Sequence, residues 1–165
     1  MFMEWKEFEL DRSGSSFLVN DSGFRVGLDF DGSVDIQLLT SDVVGSGTVF
    51  VGPEGVDVDA DFEPLRPGEV VDIYSVLIKA LPGDKLSYWF SIGSRSFYFS
   101  SCPGEKEGLS RLENEVDVAF LSASKESVRE AVVLKPGLVI PYEGEMNINE
   151  FVAELEDRNI NCQVM

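Results

Sequence analysis

Apolar and polar residues alternate along several segments of the chain, and alternation of period two predicts β-strands. The segment 24–30 alternates in this way, Asp31-Gly32 follows as a turn, and the segment 34–38 alternates again. Asp-Gly between two such segments is typical of a β-hairpin. The aromatic-rich segments 86–92 and 97–99, separated by Gly93-Ser94, predict a second hairpin. Further strands are expected at 48–51, 116–120, 132–134 and 138–140.

Helical spacing is clearest near the end of the sequence. Asn147 and Glu150 form a capping pair, and apolar residues follow at i, i+3, i+4 and i+7, namely Ile148, Phe151, Val152 and Leu155. The segment 69–81 has a helix-compatible length but strand-type Val and Ile content, and we favour a helix there. Ser127-x-x-Glu130 predicts a short helical turn.

Together these elements predict an α+β fold, mostly antiparallel β-sheet with hairpins and a C-terminal amphipathic helix. The chain has 165 residues, of which 44% are hydrophobic, so it can bury a core of ordinary size. No internal repeat or linker divides it. We therefore expect a single α+β domain over residues 1–165.

Charge changes this picture, because 30 acidic residues face 13 basic ones and the net charge is −17. Eleven of the carboxylates, against the single basic residue Arg66, lie between Asp29 and Asp72. In the segment 55–63, acidic and apolar residues alternate. On a strand this would place Asp57, Asp59, Asp61 and Glu63 in a row with a spacing of about 6.5–7 Å. Such a row, which we call the acidic row, favours binding of a positive partner.

The composition also excludes several classes of function. Binding to nucleic acid requires many basic residues, so no nucleic-acid partner is expected at a pI near 4.2. No apolar run reaches the length of a membrane span, and a cytoplasmic protein without a membrane partner is expected. Cys102 and Cys162 lack metal-type spacing and are expected to be free thiols, although the sequence does not settle whether they are paired.

The sequence contains no histidine, which removes the usual nucleophile–histidine systems and nearly all catalytic zinc sites. We therefore predict no catalytic residues, no metal site and no cofactor. Asp57-x-Asp59-x-Asp61 has the beginning of a calcium loop, but Phe62 and Gly68 occupy the places where an EF-hand needs Gly and Glu. A looser calcium site made of the same carboxylates remains an alternative.

A second alternative comes from the segment 24–33, Phe-Arg-Val-Gly-Leu-Asp-Phe-Asp-Gly-Ser. It resembles the first motif of haloacid-dehalogenase-type phosphotransferases. The resemblance implies Asp29 as a nucleophile, Asp31 as an acid/base, magnesium held by both, and a parallel doubly wound sheet. It covers ten residues, and no later acidic pair follows in the expected context.

The function that the sequence favours is a non-catalytic inhibitor of the immunity-protein or antitoxin type, which neutralises a basic protein such as a nuclease toxin. The acidic row would anchor the partner, and outlying carboxylates would steer it, namely Asp29, Asp31, Asp35, Glu69 and Asp72. A calcium-binding or structural β-rich module ranks second, and the magnesium phosphotransferase using Asp29 and Asp31 ranks third. The oligomeric state, the strand order and the identity of the partner are left open.

Overall fold

The structure is a computed structural model that describes residues 2–165, and these residues form two compact units, 2–66 together with Met165, and 67–164. Compact units defined by contacts are not the same as independently folding domains. The prediction of a single domain over residues 1–165 therefore stays a prediction.

The first unit, as far as residues 2–66 are described, consists of one seven-stranded sheet in which the strands follow one another in chain order. Its strands are β1 (Phe2–Trp5), β2 (Phe8–Ser13), β3 (Ser16–Asp21), β4 (Phe24–Leu28), β5 (Ser33–Leu38), β6 (Ser46–Gly52) and β7 (Asp61–Pro64). Strands β1 to β4 pair antiparallel, whereas β4, β5, β6 and β7 pair parallel.

The second unit contains a six-stranded sheet, a short 3₁₀ helix and two α-helices within residues 67–164. Its strands are β8 (Val70–Ile73), β9 (Val76–Leu81), β10 (Ser87–Ile92), β11 (Arg95–Phe99), β12 (Val118–Ser122) and β13 (Leu138–Tyr142). The helices are the 3₁₀ helix (Leu109–Leu112), α1 (Lys125–Leu134) and α2 (Ile148–Glu156). Strands β8 to β11 pair antiparallel, and β11, β12 and β13 pair parallel.

Both sheets are therefore mixed, and the prediction of a mostly antiparallel α+β fold is wrong: the chain is mostly β. The physical reason is that alternation identifies a strand but not its direction. Short connections normally join antiparallel strands, and the sequence interpretation relied on that rule.

The predicted hairpin at 24–38 shows this error directly, because β4 and β5 pair parallel, with Val26 opposite Ile36. The four-residue connection 29–32 returns the chain to the beginning of β5. The Gln37 side chain holds this connection, since its Nε2 donates to the Phe30 carbonyl at 2.8 Å and its Oε1 accepts from the Phe30 N–H at 2.9 Å. Asp29 adopts a left-handed φ of 49°, a conformation in which Asp is enriched among non-glycine residues.

The helix expected at 69–81 is also wrong, because this segment forms the antiparallel pair β8–β9. The turn lies at Tyr74-Ser75, where both residues have positive φ, 52° and 65°. Such a turn matches the twist of a two-residue hairpin but normally selects Gly, Asn or Asp. Its residues therefore gave no turn signal.

Other elements agree with the sequence. The hairpin over 86–92 and 97–99 is confirmed as β10–β11, and strands are confirmed at 118–120 and 138–140. The C-terminal helix is confirmed as α2, whose cap Asn147 accepts from the N–H groups of Asn149 and Glu150. The strand expected at 132–134 is wrong, because α1 continues to Leu134.

Helices α1 and α2 bury their apolar faces in the second unit. Phe151 and Leu155 of α2 and Ala131 and Leu134 of α1 are fully buried in one cluster with Val139 of β13. This cluster holds the helices against the parallel strands and so fixes the loops at the strand ends. None of the helices in residues 2–165 has the length and apolar character needed to cross a membrane.

Candidate functional site

The acidic row does not form on one strand. Asp61 and Glu63 alternate on β7, but Asp57 and Asp59 lie in the connection between β6 and β7. All four of these residues are exposed to solvent. The interpretation of 55–63 as one extended segment is therefore wrong, and the role of these four residues in partner binding stays a prediction.

The outlying carboxylates differ from one another. Asp35 accepts from the N–H of Arg25 at 2.8 Å, and Asp29 is bound to Thr40. Asp31 is exposed. Glu69 and Asp72 belong to the second unit, with Asp72 on β8. A steering role for this set is not supported by a shared element and likewise stays a prediction.

Loops at the carboxyl ends of parallel strands are the usual ligand sites of open sheets. In the first unit such loops follow β4, β5 and β6, and Asp29 and Thr40 lie in the first two of them. The carboxylate of Asp29 accepts from Thr40 through both of its oxygens, at 3.0 Å from the N–H and at 2.5 Å from Oγ1. Gly45 lies so close to this connection that a Cβ on it would be 2.1 Å from the Phe30 carbonyl oxygen. We call this arrangement the Asp29 edge.

In the second unit, Ser100 follows β11, and a buried polar cluster forms around Glu130 of α1. Glu130 Oε1 accepts from Ser100 Oγ at 2.9 Å, Gly104 N at 2.8 Å and Lys106 Nζ at 2.8 Å. Its Oε2 accepts from the Tyr98 hydroxyl at 3.0 Å. We call these residues, Tyr98, Ser100, Gly104, Lys106 and Glu130, the Glu130 cluster.

The Glu130 cluster contains a buried ion pair, since the side chains of Lys106 and Glu130 are only 4% and 0% exposed. Lys106 Nζ also lies 3.3 Å from Ser100 Oγ. Burial raises the pKa of Tyr98 well above its usual value of 10.0, and the neighbouring Glu130 carboxylate raises it further. Tyr98 therefore remains a neutral phenol that donates to Glu130.

A cavity of about 210 Å³ lies beside this cluster. Its lining includes Gly104, Leu109, Glu126, Arg129, Glu130 and Val133. Four of the lining residues, Glu126, Arg129, Glu130 and Val133, belong to α1, so the helix presents the buried Glu130 carboxylate to this space. Ser100 and Lys106 contact that carboxylate but do not line the cavity.

The sequence interpretation missed this cluster because it treated Glu130 as half of a capping box. The cap of α1 is Ser124, whose Oγ accepts from the N–H of Ser127 at 3.1 Å, and Glu130 faces inward. One signal was present: Glu130 stands in the apolar stripe formed by Val128, Ala131 and Leu134. A carboxylate in such a stripe needs a buried partner.

Neither a family model nor a curated protein sequence matches this chain significantly. Solved structures do match it over nearly its whole length. A proposed metal-dependent hydrolase from Parabacteroides distasonis is 17% identical, with a TM-score of 0.77 over 99% of this chain and 96% of that one. Igni18, a metallo hydrolase from Ignicoccus hospitalis, is 14% identical, with a TM-score of 0.79 over 96% and 94%. The metallo-β-lactamase fold protein YhfI from Bacillus subtilis is 10% identical, with a TM-score of 0.71 over 94% and 89%.

A metal centre is implied by the descriptions of these neighbours, and the residues of this chain do not fit one. Structural and catalytic zinc is bound by Cys, His, Asp and Glu, and this sequence has no histidine. Among residues 2–165, no three Cys, Asp or Glu side chains are grouped in a way that could hold a metal ion.

The match overturns the functional predictions made from the sequence. The non-catalytic inhibitor was inferred from size and charge, whereas two of these neighbours are described as hydrolases, so the predictions of an inhibitor and of no enzymatic activity are contradicted. The alternative function, a calcium-binding or structural β-rich module, is contradicted by the same structural match. The phosphotransferase required a doubly wound parallel sheet, and both sheets are mixed. The chain has the metallo-β-lactamase fold.

Proposed function

We propose that this chain is a hydrolase that acts on a small ester-type substrate through its own side chains. The observation that carries the proposal is the Glu130 cluster, in which a hydroxyl, a carboxylate and an ammonium lie within 3.3 Å of one another beside a cavity. The architecture supports it, because the chain shares its fold with proteins described as hydrolases. A cytoplasmic location and a basic partner stay predictions drawn from composition.

The proposed nucleophile is Ser100, whose Oγ lies 2.9 Å from Glu130 Oε1 and 3.1 Å from the carbonyl oxygen of Cys102, and which donates its one proton over the shorter distance to Glu130. A nucleophile within hydrogen-bond reach of a base, with the base oriented by further groups, is the usual arrangement for covalent catalysis. Here Tyr98 and Gly104 orient the base. Since the chain has no histidine, a carboxylate is the base that this geometry offers.

In the first step, Ser100 Oγ forms a bond to the ester carbon while its proton moves to Glu130. The Lys106 ammonium stabilises the negative charge that develops on the carbonyl oxygen. Glu130 then returns the proton to the leaving alkoxide, and an acyl group remains on Ser100. Glu130 then takes a proton from a water molecule whose oxygen bonds to the acyl carbon, and it returns that proton to Ser100 Oγ as the bond to the acyl group breaks and the acid leaves.

Access is the main structural requirement of this mechanism, because Ser100 is completely buried. Ser100 Oγ lies 3.1 Å from the carbonyl oxygen of Cys102 and 3.3 Å from Lys106 Nζ, so the mechanism requires the segment 101–106 to move for substrate to enter. Gly104, at a φ of 124°, is a natural place for such a backbone change. The cavity volume of about 210 Å³ limits the acyl group to a short one.

The decisive experiment is reaction with a fluorophosphonate, which labels nucleophilic serines, followed by mass spectrometry of the modified peptide. We expect an adduct on Ser100 and hydrolysis of p-nitrophenyl acetate, both abolished in Ser100→Ala. Ser101→Ala is the matched control, because Ser101 is adjacent, is also hydrogen-bonded and lies outside the cluster. Absence of the adduct, together with equal hydrolysis by both variants, rejects the proposal.

A further inference from the structure

The disagreement between the fold and the metal donors leads to an inference about the charge at this site. We propose that this chain holds no resident metal ion, and that the ammonium of Lys106 supplies the fixed positive charge at the carboxyl ends of the parallel strands of the second unit. The inference rests on the proposed function for the role of that charge, but not for the absence of a metal.

The donor set is the first observation. The sequence has no histidine, and its two cysteines are used separately. Cys102 Sγ donates to the carbonyl of Lys85 at 3.4 Å, and Cys162 Sγ approaches the carbonyl of Ile160 at 3.9 Å. Within residues 2–165, no three Cys, Asp or Glu side chains lie close enough together to bind one metal ion. Divalent metals of the zinc type would therefore lack a complete ligand set.

The Asp29 edge is closed by the protein itself. Both oxygens of Asp29 are engaged by Thr40, and Gln37 bridges the amide and carbonyl groups of Phe30. A Cβ on Gly45 would be 2.7 Å from Gln37 Nε2, so the backbone at position 45 packs directly against this connection. A carboxylate in this setting is a structural acceptor.

The Glu130 cluster contains the second observation. A buried carboxylate requires a positive counterpart, and Glu130 has one in Lys106 Nζ at 2.8 Å. That ammonium would repel an added cation at the same carboxylate. Lys106 also donates to the carbonyl of Gly104 at 3.0 Å and lies 3.3 Å from Ser100 Oγ, so its charge is held in place beside the proposed nucleophile.

The test measures metal content without any substrate. The full chain is incubated with excess Zn²⁺, Mn²⁺ and Fe²⁺ in separate samples, dialysed, and analysed by elemental mass spectrometry, with the urea-unfolded chain as the reference for surface binding. We expect less than about 0.1 equivalent of metal above that reference, and an unfolding midpoint that does not change with a chelator. One equivalent or more of metal retained by the folded chain overturns the inference.

A second variant tests the role of Lys106 directly. Lys106→Ala removes the ammonium and leaves Glu130 buried, and we expect added methylammonium to raise the unfolding midpoint of this variant but not that of the wild type. Lys135→Ala is the matched control, because Lys135 forms an exposed ion pair with Glu113. Equal responses of the two variants contradict a special role for Lys106. Failure to hydrolyse esters would reject the proposed function while leaving both measurements interpretable.

Discussion

The two sheets follow the same plan but connect their parallel strands differently. Each begins with four antiparallel strands and continues with parallel ones. In the first unit the parallel strands are joined by short connections, 29–32, 39–45 and 53–60. In the second unit they are joined by 100–117 and by 123–137, which contains α1. The second unit obeys the rule that parallel strands need a long crossover, and the first does not.

This difference decides what each edge can do. Short connections bring backbone segments into close contact. The Asp29 edge therefore depends on the missing side chain of Gly45 and on the hydrogen bond from the Gln37 amide to Phe30. Long crossovers bring side chains from distant segments together, which places Lys106 beside Glu130 and leaves a cavity next to them. Steric packing determines the structure of the Asp29 edge, whereas charge determines the structure of the Glu130 cluster. We therefore place the proposed chemistry in the second unit.

The largest expected effect comes from removing the charge of Glu130. In Glu130→Gln the Lys106 ammonium stays buried without a counter-ion, which should lower the free energy of unfolding by about 3–5 kcal/mol. Urea denaturation checks this value. Glu113→Gln removes one partner of an exposed pair with Lys135 and should cost no more than about 1 kcal/mol.

A combined variant separates charge from packing. Lys106→Met in the Glu130→Gln background removes the unpaired ammonium, so part of the lost stability should return. If Glu130→Gln alone is as stable as the wild type, charge does not control the Glu130 cluster, and the proposed difference between the two units is rejected.

The steric character of the first edge is tested with two glycines of nearly equal φ. Gly45 has a φ of 66° and Gly14 a φ of 63°, but a Cβ on Gly14 would meet nothing within 4 Å. Gly14→Ala should cost about 1–2 kcal/mol for the left-handed backbone alone. Gly45→Ala should cost about 1–3 kcal/mol more, because its Cβ overlaps the Phe30 carbonyl. Thermal and urea unfolding of the two variants measure the difference, and equal losses would mean that the connection can relax.

Sequence reasoning identified strands and helices better than it identified how they pair. Alternation located β10 and β11, and capping with i, i+3, i+4 spacing located α2, because these signals are local. The direction of β5 depends on Gln37 and Gly45, which contact the connection from outside it, and no local pattern carries that information. The Glu130 cluster joins residues 24 to 32 positions apart, so its members gave separate and weak signals.

The Asp29–Thr40 contact offers a smaller test of the first edge. Thr40→Val keeps the shape of the side chain but leaves Asp29 Oδ2 without the hydroxyl that donates to it at 2.5 Å. Loss of a hydrogen bond to a charged group should cost about 1.5–3 kcal/mol, measured by urea unfolding. Thr48→Val is the control, because Thr48 is exposed on β6 and should change stability by less than about 0.5 kcal/mol. A loss in Thr40→Val no larger than that of the control would assign the edge to Gln37 and Gly45 alone.

The smallest effect concerns Cys162. Its backbone forms an isolated parallel β-bridge with Val139 of β13, the outermost parallel strand of the second unit. Burial, together with the nearby Glu156 carboxylate, raises the pKa of the Cys162 thiol from 9.0 to about 11. The folded chain therefore keeps this thiol protonated, and the resulting stability is fully present below pH 9.0 and is lost as the pH rises through about 11. In a Cys102→Ser background, alkylation by iodoacetamide at pH 8.5 should be at least about tenfold slower in the folded chain than in urea, because the thiolate is the reactive form. Equal rates would show that the segment carrying Cys162 separates readily from β13. In that case the packing at this border of the second unit would be looser than the packing of the Asp29 edge.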